Sequence, residues 1–115
     1  MTEQASSIVP TVRHVPDRFR YEIEVNGETA GFAAYRDRGE QQRVFYHTKI
    51  YEAFSRRGLA SRLVCEALGD VRETARRVVP VCPYVKAFLE KHEEFADITD
   101  PVTPDVVRWI QAELT

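Results

Sequence analysis

A short basic segment in the middle of the chain, SRRGLA at residues 55–60, combines residue types that bind anions. The hydrophobic pattern after it predicts a helix beginning near Gly58 and Leu59, whose free amide groups and positive end would face an anion. Glycine permits a close approach because it has no Cβ. Arg56 and Arg57 would add charge-assisted hydrogen bonds. The segment therefore predicts a site for a phosphate or pyrophosphate group.

Alternating side chains before this segment predict an antiparallel meander. Between Arg18 and Val25, apolar and charged residues alternate with a period of two, which is typical of a strand with one buried face. The apolar members, which would point toward the core, are Phe19, Tyr21, Ile23 and Val25. Asn26-Gly27 then predicts a type I′ hairpin turn. Two further strands are expected over residues 29–35 and 43–51, with a polar turn between them.

The second half of the chain is predicted to alternate helices with one strand. Apolar residues at helical spacing predict a helix over residues 58–76, and the β-branched run at 78–81 predicts a strand buried on both faces. This order predicts a right-handed parallel crossover. Two more helices are expected over residues 83–92 and 104–113, because proline and threonine are common at helix starts. The expected fold class is α+β or α/β, with a mixed sheet.

Composition indicates one globular domain in 115 residues, of which 43% are hydrophobic and 30% charged. A formal net charge of -2 argues against a general nucleic-acid binder. Two cysteines, Cys65 and Cys82, are too few for a disulfide framework or a zinc site. With no apolar run long enough for a secretory signal or a membrane span, we expect a cytoplasmic protein without a membrane partner.

Two longer segments, HTKIYEAFSRRGLASRLV and CPYVKAFLEKHEEFADI, together resemble the small, single-domain branch of the GCN5-related N-acetyltransferase (GNAT) family. The resemblance runs from His47 to Ile98, and the meander before it matches in strand pattern if residues 11–15 form an additional edge strand. It implies an acetyltransferase domain at 11–98. Residues 1–10 have no periodicity and are expected to be a flexible leader, and residues 99–115, beyond the resemblance, are expected to be a C-terminal helical extension. Ser55 stands where the family has glutamine or arginine.

The resemblance implies acetyl-CoA as the cofactor. Its pyrophosphate would bind the backbone amides from Arg57 to Ser61. Its pantetheine arm would run beside Lys49 to Tyr51, where the strand ending there and the strand at 78–81 splay apart. The residues expected to contact the cofactor are Lys49, Ile50, Tyr51, Arg56, Arg57, Gly58, Leu59, Ala60 and Ser61.

Three side chains are candidates for the chemistry of acetyl transfer. His47 could accept a proton from the acceptor amine, or it could be only a half-buried strand residue. Cys82 precedes Pro83 in the N-cap region of a helix, where a thiolate is favoured; it could carry the acetyl group or only line the thioester pocket. Tyr84 could protonate the leaving thiolate, as a tyrosine does in many family members, or could be a packed aromatic.

The leading hypothesis is an acetyl-CoA-dependent N-acetyltransferase acting on a primary amine, possibly a protein or peptide lysine. One alternative is a non-catalytic acyl-CoA-binding or sensing module with the same fold, which the departure at Ser55 favours. Another takes GLASRLVCEAL as part of a DNA-binding helix-turn-helix, which the surrounding strands and the negative charge oppose.

Overall fold

A mixed sheet of five strands forms the frame of the molecule, in the spatial order β1-β2-β3-β4-β5. The computed structural model describes residues 9–115. Its strands are β1 (Thr11–Val15), β2 (Arg20–Val25), β3 (Glu28–Arg38), β4 (Gln42–Ile50) and β5 (Arg77–Pro80). The first four are antiparallel, and β5 runs parallel to β4. The predicted α+β class and the extra edge strand at 11–15 are confirmed, whereas most of the expected leader lies outside the described residues.

Three helices accompany the sheet: α1 (Leu59–Glu73), α2 (Pro83–Lys91) and α3 (Pro104–Glu113). Short 3₁₀ turns occur at Pro16–Arg18, Glu52–Phe54 and Glu93–Ile98. In the described part of the chain, no helix is long and apolar enough to cross a membrane. The helix predicted from GLASRLVCEAL is the crossover between β4 and β5, so the helix-turn-helix interpretation is wrong.

One sequence prediction in the first hairpin is wrong, and one is confirmed. Phe19 does not join Tyr21 and Ile23 on the buried face, because the preceding 3₁₀ turn leaves it with φ 55° and 44% exposed. Asn26 and Gly27 have φ values of 55° and 85°, the positive pair that a type I′ turn requires. Asn26 and Gly27 therefore determine the hairpin. The 3₁₀ turn at Pro16–Arg18 shortens the first strand of that hairpin.

The crossover helix ends earlier than its hydrophobic pattern predicts. Ala75 adopts a left-handed conformation with φ 59°, and the amide of Arg76 donates to the carbonyl of Val71 at 3.0 Å. This bond closes the helix end, as a glycine would usually do. The helix therefore ends at Glu73 rather than Arg76, which leaves the chain free to enter β5.

The sheet buries apolar side chains on both faces. On one face, Tyr21, Phe45 and Val78 pack with buried residues of α1 and α2. On the other face, α3 packs mainly on β4 and β5, where Val44 and Val79 meet its apolar side, and the end of β3 reaches it through Arg38 over the Trp109 ring. Thr103 caps α3 as predicted, since its hydroxyl accepts from the amide of Val106 at 3.2 Å. The division of the chain into domain and extension stays a prediction.

A buried polar network crosses the first face near the start of β4. The Arg43 guanidinium, only 6% exposed, donates to both carboxylate oxygens of Asp37 at 2.8 and 3.0 Å and to the Tyr21 hydroxyl at 2.7 Å. Tyr21 in turn donates to Asp70 at 2.5 Å. Burial and the bond to Asp70 raise the pKa of Tyr21, so it stays protonated as the donor. No buried side-chain N or O atom of the described residues lacks a hydrogen-bond partner.

Candidate active site

A bulge in β4 separates a paired half of this strand from an open half. Tyr35 pairs with Phe45 and Ala34 pairs with His47, so Tyr46 is an extra residue. The pairing of β4 with β5 ends just there, at Phe45 opposite Pro80. Bulges bend a strand and increase its twist. Beyond the bulge, β4 is no longer paired with β5, and the resulting gap is in the place that the family resemblance implies.

The open half of β4 presents backbone groups to this gap. The amide of Tyr51 donates to Ala30 at 2.8 Å on the β3 side. Because backbone groups alternate along a strand, those of Lys49 also face β3, whereas those of Thr48 and Ile50 face the gap. Within the described chain no strand lies beside them there. An extended ligand could use these groups as an added strand does.

Cys82 lies where the gap narrows. Its amide donates to the carbonyl of Phe45 at 2.8 Å, and its own carbonyl accepts from Lys86 at 3.0 Å, so it is fixed between β4 and the first turn of α2. Its thiol is buried, with 3% of the residue exposed, and lies 3.3 Å from the Thr48 hydroxyl. Pro83 occupies the first helical position. A nucleophilic side chain therefore lies beside the free backbone of β4.

The loop at the other side of the gap forms an anion cradle. Arg56 and Gly58 have φ values of 66° and 71°, and such left-handed residues orient successive amides into a concave nest. Gly58 is the N-cap of α1 without a side-chain cap bond, and the first turn of the helix contains no acidic residue among those described. The amides from Leu59 to Ser61 precede the first helical bond, in which Arg62 donates to Gly58 at 3.4 Å.

This cradle has room for a phosphate group. A Cβ built on Gly58 would meet no heavy atom within 4 Å, so the space beside its backbone is open. The positive φ, rather than crowding, explains the glycine. Arg56 and Arg57 are exposed at the mouth, with the Arg57 guanidinium 5.6 Å from the centroid of the Phe54 ring. The geometry and charge of the loop fit a pyrophosphate.

Ser55 does not replace the glutamine or arginine of the family pattern. Its hydroxyl donates to the carbonyl of Glu52 at 3.0 Å, inside its own 3₁₀ turn. The side chain therefore points back into the turn rather than toward the cradle. Charge at the mouth comes from Arg56 and Arg57 instead.

The structure does not bring the three catalytic candidates together. Thr48 and Cys82 share the face of α1 and α2, whereas His47 emerges on the opposite face, where its ring lies 5.7 Å from that of Phe32. Tyr84 is 39% exposed in the first turn of α2, so it is not a packed aromatic. His47 could reach the gap only from the far side of the sheet.

Of the residues expected beside the pantetheine arm, Lys49 is exposed, while Ile50 and Tyr51 are half-buried. Among those expected at the cradle, Leu59 is buried and contributes through its backbone, and Ala60 and Ser61 follow in the same turn. A cavity of about 450 Å³ continues from Gly58 between α1 and α2, where the exposed Cys65 lies. The described residues contain no group of three side chains suited to a metal ion.

Sequence reasoning missed Thr48, the side chain in contact with the Cys82 thiol. Strict alternation along β4 would have placed it with Tyr46 and away from Phe45. The bulge reverses the alternation and brings Phe45 and Thr48 to one face. The adjacent aromatic residues Phe45 and Tyr46 were the one sign of a break in the alternation, and that signal is weak.

The parallel pair of β4 and β5 and the loop that follows β4 together define the class of fold. A family model described as GCN5-related N-acetyltransferase matches residues 20–98, which is more than half of the chain. The chain therefore belongs to the GCN5-related N-acetyltransferase family, and the predicted resemblance is confirmed. A search of the curated proteins found no match.

Solved structures of the same family share the fold at low sequence identity. A GCN5-like protein from Staphylococcus aureus, known in solution by NMR, is 16% identical with a TM-score of 0.61, over 82% of this chain and 91% of its own. A GNAT family acetyltransferase from Elizabethkingia anophelis, with acetyl-CoA bound, is 12% identical with a TM-score of 0.52, over 76% and 73%. The ribosomal-protein-alanine N-acetyltransferase of Brucella melitensis biovar Abortus 2308 is 17% identical with a TM-score of 0.51, over 73% and 62%.

Proposed function

We propose that this protein is an acetyl-CoA-dependent N-acetyltransferase that acetylates a primary amine. The observation that carries the proposal is the gap between β4 and β5, which has free backbone groups on one side, an anion cradle at one end and Cys82 where it narrows. The family supports acyl transfer, and one structural neighbour binds acetyl-CoA. These parts match the anionic diphosphate and the amide groups of an acyl-CoA.

In this proposal, the cradle holds the pyrophosphate and the open half of β4 holds the pantetheine arm. The amides of residues 57–61 would donate to the phosphate oxygens, with Arg56 and Arg57 compensating their charge. Thr48 and Ile50 would exchange backbone hydrogen bonds with the amide groups of the arm. The thioester would then lie near Cys82, since the gap narrows there.

Two routes of transfer are open at this geometry. The amine nitrogen could attack the thioester carbon directly, or the Cys82 sulfur could first take the acetyl group and pass it to the amine. In both routes the carbon–sulfur bond to CoA breaks, and the departing thiolate takes a proton. Tyr84 is the proposed donor of that proton, and His47 is the proposed acceptor of the proton that the amine loses.

The proposed acceptor is a lysine of a protein or peptide. On the His47 side α3 packs against the head of the gap, near Val44, Tyr46 and Val81, and no helix of the described residues covers the open half of β4 beyond it. An extended chain can cross such an open surface more readily than a small metabolite can be enclosed by it. A cytoplasmic location remains part of the proposal, and the two free cysteines, Cys65 and Cys82, support it.

The direct test is to mix the protein with acetyl-CoA and lysine peptides and to follow intact mass and CoA release. We expect amine-dependent release of CoA, which Cys82→Ala reduces by about 100-fold or more if the thiol takes part. Cys65→Ala is the matched control, since Cys65 is the other, exposed cysteine. An acetyl adduct on Cys82 would establish the two-step route, and turnover unaffected by Cys82→Ala would exclude both roles of the thiol.

A second candidate is an acyl-CoA-binding or sensing module without turnover. Two observations favour it: Ser55 is bonded to Glu52 instead of serving the cradle, and His47 and Cys82 lie on opposite faces. This candidate predicts binding of CoA by calorimetry with no acetylation of any amine. Transfer to any amine at a rate above the uncatalysed reaction excludes it.

A further inference from the structure

The face of the sheet that carries His47 continues across β3, β2 and β1 without a helix over it in the described chain. Glu22 and Phe32 are directly opposed across β2 and β3, and Lys49 is opposed to Phe32 across β3 and β4. Arg13 is opposed to Glu22 from β1. We call this surface the arginine face and define it by Arg13, Arg18, Arg20, Glu22, Glu24, Phe32 and Lys49.

One carboxylate of the arginine face, that of Glu22, is buried under its guanidinium groups, and that of Glu24 is partly covered. Glu22 is 4% exposed in its side chain and is shared by Arg20 at 2.8 Å and by Arg13 and Arg18 at 3.6 Å each. Arg13 and Arg18 are 57% and 64% exposed in their side chains, whereas Glu24 is 26% exposed. Three arginines and Lys49 against two glutamates leave an excess of two positive charges, and the positive ends reach the solvent. The face therefore attracts anions.

Part of the arginine face is fixed in place before any ligand arrives. The Arg20 guanidinium lies 4.6 Å from the centroid of the Phe32 ring while its Nε donates to Glu22 at 2.8 Å. Phe32 also contacts the rings of His47 and Tyr51, at 5.7 and 6.2 Å between centroids. Solubility alone does not require such an ordered stack of side chains. An ordered platform beside the gap lowers the entropy cost of binding a chain there.

We propose that the acceptor amine is presented by an acidic polypeptide segment that lies across the arginine face. This inference rests on the proposed function, because an amine that enters the gap from the His47 side must lay the rest of its molecule over this face. Acidic side chains would meet Arg13, Arg18 and Arg20, while the chain would pack on Phe32. The substrate class is therefore a lysine in an acidic context rather than a basic one.

Strand geometry gives the spacing of the acidic residues. Strands are about 4.8 Å apart, so β2 lies about 10 Å and β1 about 14 Å from β4. An extended peptide advances about 3.3 Å per residue. Side chains of an extended peptide alternate between its two sides, so acidic residues two and four positions from the lysine share its side. At about 7 and about 13 Å from the lysine, they would reach Arg20, whose guanidinium extends over Phe32 of β3, and Arg13 of β1.

The test uses three peptides with one lysine and with glutamate, glutamine or arginine at those two positions. We measure kcat/KM with acetyl-CoA and, separately, the binding of labelled peptides by fluorescence anisotropy in the presence of free CoA. We expect the glutamate peptide to exceed the glutamine peptide about fivefold in both measurements, with an advantage that falls as salt is added. The arginine peptide should be the poorest.

Charge reversal of the face sharpens this test. The double variant Arg13→Glu with Arg18→Glu should lose the preference for the glutamate peptide, and Arg13→Gln with Arg18→Gln should weaken it, with folding checked by circular dichroism. Arg108→Gln is the matched control, because Arg108 is 70% exposed on α3, outside the arginine face. It should leave the preference unchanged.

The outcomes separate the inference from the proposed function. If peptides are acetylated without preference, or the arginine peptide is the best, the inference is wrong and the transferase stands. If no peptide is acetylated but the glutamate peptide binds selectively, the docking face stands and the transferase falls. If no peptide is acetylated and none binds selectively, both are wrong.

Discussion

The two halves of β4 show how one strand serves stability at one end and binding at the other. From Gln42 to Phe45 it is paired on both sides, and Arg43 on this half satisfies Asp37 and Tyr21. From His47 to Ile50, β3 is its one partner among residues 9–115. A single extra residue, Tyr46, marks the change. The free backbone groups of β4 thus follow directly on a segment that is paired on both sides.

The difference between the two halves of β4 predicts different effects of substitution at neighbouring residues. In the paired half, each polar group has a partner, so removal of one partner leaves another buried and unsatisfied. In the open half, the backbone groups of Thr48 and Ile50 face the gap and can exchange water for a ligand. Substitutions in the first half should therefore change folding, and substitutions around the second half should change binding.

The largest expected effect is on stability, from Arg43→Met. This change removes the donor that Asp37 and the Tyr21 hydroxyl share. It also removes the positive charge beside Asp70. Burial lowers the pKa of Arg43, but the hydrogen bonds to Asp37 and the electrostatic attraction of Tyr21, Tyr35 and Asp37 together outweigh it and raise that pKa. The wild-type network therefore holds a permanent cation. We expect a loss of about 3 kcal/mol in the free energy of unfolding, measured with urea.

A matched arginine on the surface calibrates this loss. Arg108 pairs with Asp105 one turn away on α3, and both side chains are largely exposed. Arg108→Met should change the free energy of unfolding by less than about 0.5 kcal/mol. A loss for Arg43→Met no larger than that of the control would show that the network is not a stabilising centre.

The next effect is on binding and compares two glycines of one helix. Gly58 has φ 71° at the N-cap of α1, whereas Gly69 lies in its interior, and neither would meet a heavy atom if a Cβ were added. Gly58→Ala strains the backbone of the cradle and should weaken CoA binding about tenfold in calorimetry. Gly69→Ala should leave CoA binding unchanged and stabilise the fold by about 0.5–1 kcal/mol.

Two results would contradict a role of the cradle in CoA binding. If Gly58→Ala binds CoA as the wild type does, the shape of this loop is not what recognises the pyrophosphate. If Gly69→Ala weakens binding by the same factor, the effect belongs to the helix as a whole.

The smallest expected effect is on the pH dependence of stability and comes from His14. This residue lies on the edge strand β1, and its ring reaches the network around Arg43. Its Nε2 lies 2.5 Å from the Tyr35 hydroxyl, and its ring stacks on Tyr21 at 4.4 Å between centroids. Burial and then the positive charge of Arg43 lower the pKa of His14, although the carboxylates of Asp70 and Asp37 oppose them.

Because the pKa of His14 is lower in the folded state, the unfolded chain takes up this proton first as the pH falls. The contribution of His14 is therefore fully present above the ordinary value of about 6.5 and is lost as the pH falls below it. Urea unfolding of wild type and His14→Asn between about pH 7.5 and about pH 5 measures the difference. An identical slope for both proteins in that window would contradict this assignment.

Local signals in the sequence predicted the elements of both halves. The Asn26-Gly27 turn, the period of β2 and the Thr103 cap act through neighbours in sequence, so their structure could be predicted from the chain. The cradle was also predictable, because a glycine between arginines and an amphipathic helix is a contiguous pattern. The right-handed sense of the crossover and the roles of the site residues stay predictions.

What the sequence did not predict depends on contacts between distant residues. The bulge at Tyr46 follows from the register of β3 against β4, and it decides that Thr48, rather than His47, lies beside Cys82. The Arg43 network joins residues from three strands and α1, none of which signals a partner by its spacing. Glu22 was expected on a polar face, but its burial under arginines depends on β1.

The measurement that tests the central claim most directly is a titration of the labelled protein with CoA, followed by amide chemical shifts in NMR. The account predicts that the amides of Thr48, Ile50 and residues 57–61 shift together along one binding curve. The amides of the paired half, around Arg43, should move little. Shifts that are absent, or that leave the loop at 57–61 unaffected, would contradict the claim that the gap and its cradle bind an acyl-CoA.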